Sequence, residues 1–589
     1  MAKYYLESGD YEKAKLYYEK LYDKKQSSDN YKGLLLVYKE IGDYKEAEKL
    51  IKRYEKKSGS NTIFIDLGDI YEAQGEFDEA KKAYRKAISE LPKSQGMVIR
   101  TANEFIRLNK LDMAMETYQA GKKLLDGRYP FSYEIAGLYG TMGDKERMIS
   151  EYLDLLEYNE AYQQTIQNAL NRSISFEDDE EGVEMLRTEL LRRVQKSPDS
   201  VIYAEMLIWL FLQDKDFNSA FVQLKALDKR LGEDGRRLLQ LAGLCSNNEA
   251  FGVAEKSYRY IAEKGKSNPY YSYARTGMLK SRFEVLRREF PPDTTALREL
   301  KGEYETTLEE LGVNGETIGL MRQKAILEAY YLGELEAANL TLNEALETNV
   351  PSESLRAEIK LELAEILIAK NYIWDASLLC SQVDKDFKND VLGSKAKFLN
   401  AKISYYSGDF EWAQAQLDIL KGGTSRLISN DAIELSLLIT DNLNLDTIRD
   451  PMLMFARADL LTVQRDFIGA NKTLDSLSEQ YPSHSLNDEI LMLKARMAEN
   501  EYRYEEAIAI YEKVLADHYF DITADNALFR SAELHEEKLG QPTKAAELYK
   551  QLMMDFPGSL YVVESRKRFR NIRGDDPNTD TPRKIEEEF

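Results

Sequence analysis

A recurring register of small residues constrains this chain more than any other feature. Gly9-Asp10-Tyr11, Gly42-Asp43-Tyr44 and Gly75-Glu76-Phe77 stand 33 residues apart, and each precedes an alanine, at Ala14, Ala47 and Ala80. The register continues through Ala114, Met148, Ala220, Ala254, Ala338, Ala376, Ala413, Ala470, Ala507 and Ala545, so that twelve of thirteen markers are alanine. Four residues after each marker lies a bulky side chain, from Tyr18, Ile51 and Tyr84 to Tyr511 and Tyr549, and twelve before most of them another small one, as at Gly68, Ala102 and Ala401. Small residues on facing helices let the backbones approach, and a large residue one turn later fills the wedge where the helices diverge. Each unit therefore reads as a helical hairpin. Gly-Asp or a polar equivalent in its turn ends the first helix and caps the second, and Pro92, Pro351, Pro482 and Pro557 separate units.

Markers are spaced by 33, 33, 34, 34, 72, 34, 84, 38, 37, 57, 37 and 38 residues. The two longest gaps each predict a further, degenerate hairpin: residues 160–198, with an acidic loop at Glu177–Glu181, and residues 270–312, broken at Pro291-Pro292. The 57-residue gap predicts a single extra helix near Asp431–Thr440.

The third unit carries Phe64, Leu67, Gly68, Tyr71, Gly75, Ala80, Tyr84, Ala87 and Pro92, and in these residues the chain resembles the tetratricopeptide repeat family. The resemblance implies an all-α fold, a right-handed α-solenoid of about 13 recognisable hairpins plus degenerate helical insertions. It divides the chain into an N-terminal array at 1–159, degenerate and repeat-like hairpins at 160–315, a C-terminal array at 316–570 and a disordered polar tail at 571–589. Aligning the first unit on Ala14 places Met1 inside a helix, which leads us to expect residues upstream, such as a leader; the alternative is a naturally ragged first repeat.

Near the C-terminus, Asp525–Leu534, Lys544–Tyr549 and Asp555-Phe556-Pro557-Gly558-Ser559 resemble periplasmic repeat proteins of Gram-negative envelopes, in the style of the Tol–Pal coordinator and the outer-membrane assembly lipoprotein. That resemblance implies a periplasmic or outer-membrane-associated location; the alternative is a cytoplasmic adaptor.

Composition narrows the chemistry. A net charge of −22 argues against nucleic-acid binding, and no stretch is apolar enough to span a membrane. Three histidines leave little for metal binding or acid–base catalysis. Gly265-Lys266-Ser267 lacks the upstream glycine of a phosphate loop, and His535-Glu536-Glu537-Lys538-Leu539 lacks the second histidine of a zinc helix, so His535 reads as a packed core residue. Cys245 and Cys380 fall at packing positions in non-adjacent units and read as two free, buried thiols. No catalytic residue, metal ligand or cofactor site is expected, and the chain reads as non-enzymatic.

In such a solenoid the first helices line a groove. Two units place paired tyrosines there, Tyr330-Tyr331 and Tyr405-Tyr406, and these four residues are the candidate partner-binding groove; the alternative is that one of each pair packs against the next repeat. The places where related cytosolic proteins clamp a chaperone's C-terminal carboxylate hold Lys3, Gly33, Thr62 and Asp66, which does not support that ligand. The sequence thus reads as a scaffold for protein or peptide partners. A structural spacer whose groove is filled by its own helices is the competing reading.

Overall fold

The computed structural model describes residues 1–289, 291–422, 426–443 and 448–574. The tail from 575 onward, most of the segment expected to be unstructured, lies outside the described residues. Thirty-two α-helices, and no strand, occur among the described residues. The chain divides into two compact units, Met1–Glu233 and Asp234–Phe589. That division falls inside the 160–315 segment set apart by periodicity, which itself predicts breaks at 159/160 and 315/316.

In the first unit, hairpins run from Ala2–Glu7 with Tyr11–Lys24 to Ser132–Met142 with Lys145–Tyr158. The degenerate pair Gln163–Ser173 and Glu180–Lys196 and the apolar pair Val201–Gln213 and Phe217–Leu231 follow. Asp179 caps Glu180–Lys196, so the expected acidic loop ends in a helix start, where negative side chains favour the helix dipole. The second unit alternates in the same way, with Tyr271–Leu286 and Thr294–Leu311 flanking Pro291-Pro292. An additional helix, Arg426–Leu443, stands between Phe410–Leu420 and Asp450–Val463, where the sequence predicts one.

Each hairpin is closed as the register requires. All thirteen marker residues are at most 2% exposed and the residues four positions later at most 9%. Five positions before every marker, the backbone is left-handed: Gly9, Gly42, Gly75, Asn109, Gly143, Lys215, Glu249, Gly333, Asn371, Gly408, Arg465, Tyr502 and Gly540. This residue turns the chain out of the first helix. An aspartate one position later then accepts from the third backbone N–H of the second helix, as at Asp10, Asp144, Asp216, Asp409 and Asp466.

Where the turn residue is not glycine, its Cβ strains the turn. Lys215, exposed with φ of 55°, is the simplest case. Lys215→Gly is expected to stabilise the first unit by about 1 kcal/mol, readable as a higher urea midpoint; no change or a loss would contradict this account of the turn.

Candidate functional site

The first helices present a face whose charges are largely engaged with one another. Wedge tyrosines on second helices start the pattern, because a phenol buried to its hydroxyl needs an acceptor. Tyr84 donates to Glu72 (2.8 Å), Tyr511 to Glu499 (2.5 Å) and Tyr549 to Glu536 (2.7 Å). Each glutamate, on the first helix of its unit, is then met by a cation of the next: Lys110 on Glu72 (2.5 Å), Arg530 on Glu499 and Arg568 on Glu536 (3.0 Å). Core packing, groove face and repeat-to-repeat attachment therefore share one set of residues. Between the last two of these ladders lies a cavity of about 190 Å³ lined by Glu499, Tyr504, Arg530, Glu533 and Glu537.

In the first unit, Lys32 Nζ bridges Asp66 (2.7 Å) and Glu104 (3.0 Å), joining three successive first helices. Asp66 is 3% exposed and also accepts from the Tyr31 hydroxyl (2.9 Å). Burial raises its pKa, with Lys32 opposing the rise, while Lys32 and Arg107 hold Glu104 low against its own burial. One of the four clamp-equivalent places is thus a carboxylate consumed by its own lysine.

The four candidate tyrosines do not share one environment. Tyr330 is 47% exposed and its hydroxyl donates to Glu365 (2.9 Å), while its carbonyl accepts from Arg465 (2.6 Å), 135 residues away. Tyr331 is half-buried with its ring edge-on to Phe283 (5.6 Å). Tyr405 is wholly buried and packs at 5.3 Å against half-buried Tyr406. Tyr405 lies in the core cluster with Phe410 and Leu417, so the structure does not bring it to the surface with Tyr330.

A feature the sequence placed but could not orient covers this face. Helix Arg426–Leu443 buries Ile428, Ala432 and Ile439 in one cluster with Ala401, Leu417, Met452 and Leu493. From 428 to 443 only Asp431 and Asp441 are exposed, whereas an ordinary surface helix solvates a whole face. Ser436 accepts from Gln414 (2.7 Å), Asn442 donates to Glu489 (3.1 Å) and accepts from Ser485 (2.5 Å), and Glu434 accepts from Tyr561. Burial raises the pKa of Asp431, opposed by the charge of Lys402, and that of Glu434, opposed by Arg496 and Arg530; these three cations belong to the first helices Val391–Tyr406, Asn487–Asn500 and Ala524–Glu537. The first-helix face of these repeats is thus occupied by the chain itself.

His535 is 3% exposed, with Nδ1 3.0 Å from Gln541, and burial lowers its pKa. Among the described residues no group of three or more His, Cys, Asp and Glu side chains is arranged to hold a metal, and no helix is long and apolar enough to cross a membrane. Cys245 and Cys380 are free and buried. Burial pushes the Cys245 thiol up to about 11 and, with the Glu365 carboxylate adding to it, the Cys380 thiol up to about 12. Since the thiolate is the nucleophile, iodoacetamide at pH 8 is expected to label neither cysteine in the folded chain and both in urea, by intact mass; labelling of the folded chain would contradict their placement.

The fold is that of an all-α repeat solenoid. Residues 1–112 match the tetratricopeptide repeat-like domain and residues 526–559 the tetratricopeptide repeat, so such repeats are present at both ends of the chain. No curated protein matches it. Among solved structures it is similar to a tetratricopeptide repeat protein from Parabacteroides merdae at 15% identity, covering 51% of this chain and 98% of that one, with a TM-score of 0.28. It is also similar to Naa15/Naa10 bound to HypK-THB at 16% identity, covering 97% and 95%, with a TM-score of 0.26. For yeast Tom70 the identity is 15%, the coverage 86% and 99%, and the TM-score 0.25.

Proposed function

We propose that this chain is a non-enzymatic scaffold that recruits protein or peptide partners to the faces of its first helices, in a bacterial cell-envelope assembly on the periplasmic side. The observation that carries the recruiting role is the recurring register of closed hairpins, which fixes a face of first helices without further folding, so that binding does not have to order the receptor. Its support for the envelope is the style of Asp525–Leu534 and of Phe556-Pro557-Gly558-Ser559. Cross-linking in cells that make the protein, followed by mass spectrometry, tests both parts: partners from the envelope support the reading, and exclusively cytosolic partners overturn the location.

A second reading, a spacer with a self-occupied groove, is favoured by the seating of Arg426–Leu443. It predicts that cross-links at this face remain within the chain in every condition. Recovery of a partner linked to Lys402 would exclude it.

A further inference from the structure

Helix Arg426–Leu443 has the features of a ligand rather than of a repeat element. It falls outside the alternation of first and second helices, yet its contacts reach as far as Tyr561, 127 residues along the chain. Its apolar residues recur at helical spacing, Ile428, Ala432 and Ile439, and enter the shared core. Its acid Glu434 accepts from Tyr561, and the charges of Lys402 at Asp431 and of Arg496 and Arg530 at Glu434, on first helices of three hairpins, favour the carboxylate forms. These cations favour acids on the docked helix, against burial and Asp525, although the whole chain carries a net charge of −22, which by itself would favour basic partners.

We propose that residues 426–443 are an internal ligand of this face, and that the face takes in their place an acidic amphipathic helix of a partner protein, with apolar residues at the spacing of Ile428, Ala432 and Ile439 and a carboxylate where Glu434 stands. This deepens the scaffold reading and rests on it. The seat is built to be left as well as filled, because it buries polar groups that an apolar interface would not. Burial and the carboxylates of Asp431 on its own helix and Asp525 on Ala524–Glu537 push Glu434 up to about 7, opposed by Arg496 and Arg530, and the Tyr561 hydroxyl donates to it. Burial and neighbouring Asp488 also raise Glu489, opposed by the hydrogen bond from Asn442. Glu434 binds its proton more tightly docked than free. The docked state is therefore fully stabilised below the ordinary carboxylate range and loses that stabilisation as pH rises through about 7.

The test uses the full chain and a fluorescent peptide of residues 426–443, with binding read by anisotropy. In the double variant Asn442→Cys, Ser485→Cys, oxidation locks the helix in its seat and reduction frees it. The reduced chain is expected to bind the peptide at least tenfold more tightly than the oxidised one, and more tightly at pH 5.5 than at pH 8.5 once the internal helix is undocked by Ile439→Asp. A peptide carrying Glu434→Lys should bind about tenfold more weakly. Equal binding to oxidised and reduced chains, or none to either, overturns the proposal, as does equal binding of the Lys peptide for the acidic character of the partner. If Ile439→Asp fails to fold, the oxidised–reduced comparison decides alone. Failure here leaves the scaffold reading standing on its cross-linking test, since partners could still use the Met1–Glu233 unit.

Discussion

Tyr84→Ala is expected to destabilise the Met1–Glu233 unit by about 3–5 kcal/mol. Tyr84 is 5% exposed and fills the wedge of its hairpin so closely that a Cβ on Gly68 would lie 2.4 Å from its ring. The ring also meets Phe105 of the next hairpin edge-on at 5.7 Å, so truncation opens a cavity that two repeats share. Its hydroxyl adds a charge-assisted bond to Glu72, which in turn holds Lys110. Burial and that carboxylate raise the phenol far above its ordinary value, so it remains a donor throughout the accessible pH range. Tyr84→Phe, which keeps the ring, should cost about 1.5 kcal/mol. Urea unfolding with hydrogen exchange read over residues 63–89 separates the two variants, and equal effects would contradict the division between wedge and hydroxyl. Gly68→Ala should also destabilise, although alanine is the better helix former.

The second large effect is expected at Glu328. Its side chain is fully buried in the single π-turn Leu327–Tyr331, where it meets Lys324 at 2.9 Å and Lys301 at 3.2 Å and accepts from Thr341 at 2.9 Å. Two ammonium groups, 14% and 21% exposed, converge on this one carboxylate. Glu328→Ala removes the anion and leaves them facing each other with little water, at a cost of about 3 kcal/mol. Glu334, which also pairs with Lys301 but is 34% exposed, is the control, and Glu334→Ala should cost less than about 1 kcal/mol. Urea midpoints for the Asp234–Phe589 unit check both, and a similar loss for the two would show that Glu328 is not the centre of the cluster.

The hairpins were legible because their packing depends on near neighbours. An alanine marker, a wedge residue four positions on and a small residue twelve before specify the closed hairpin locally, and the helix in the 57-residue gap followed from the same count. Turns at Lys215, Glu249, Arg465 and Tyr502 carry no glycine signal, and it is the structure that shows them in the same left-handed backbone. The candidate face was less legible, since it depends on residues far apart in the chain. Tyr405 and Tyr406 occupy adjacent positions, yet one is buried in the core and the other stays half-buried, because neighbouring residues of a helix point to different sides of it. The π-turn at Leu327–Tyr331, which contains both Tyr330 and Tyr331, has no sequence signature. Most consequentially, the sequence placed a helix near Asp431–Thr440 without showing that Ser485, Glu489 and Tyr561 would receive it.

Whether that helix is seated in its own repeats is the central claim, and hydrogen–deuterium exchange of the intact chain at pH 6 tests it most directly. Residues 428–443 are predicted to exchange as slowly as the neighbouring first helix Asp450–Val463, with protection falling at pH 8.5 as Glu434 ionises. Exchange over 428–443 as fast as in the exposed loop around Phe520, at both pH values, would contradict the account.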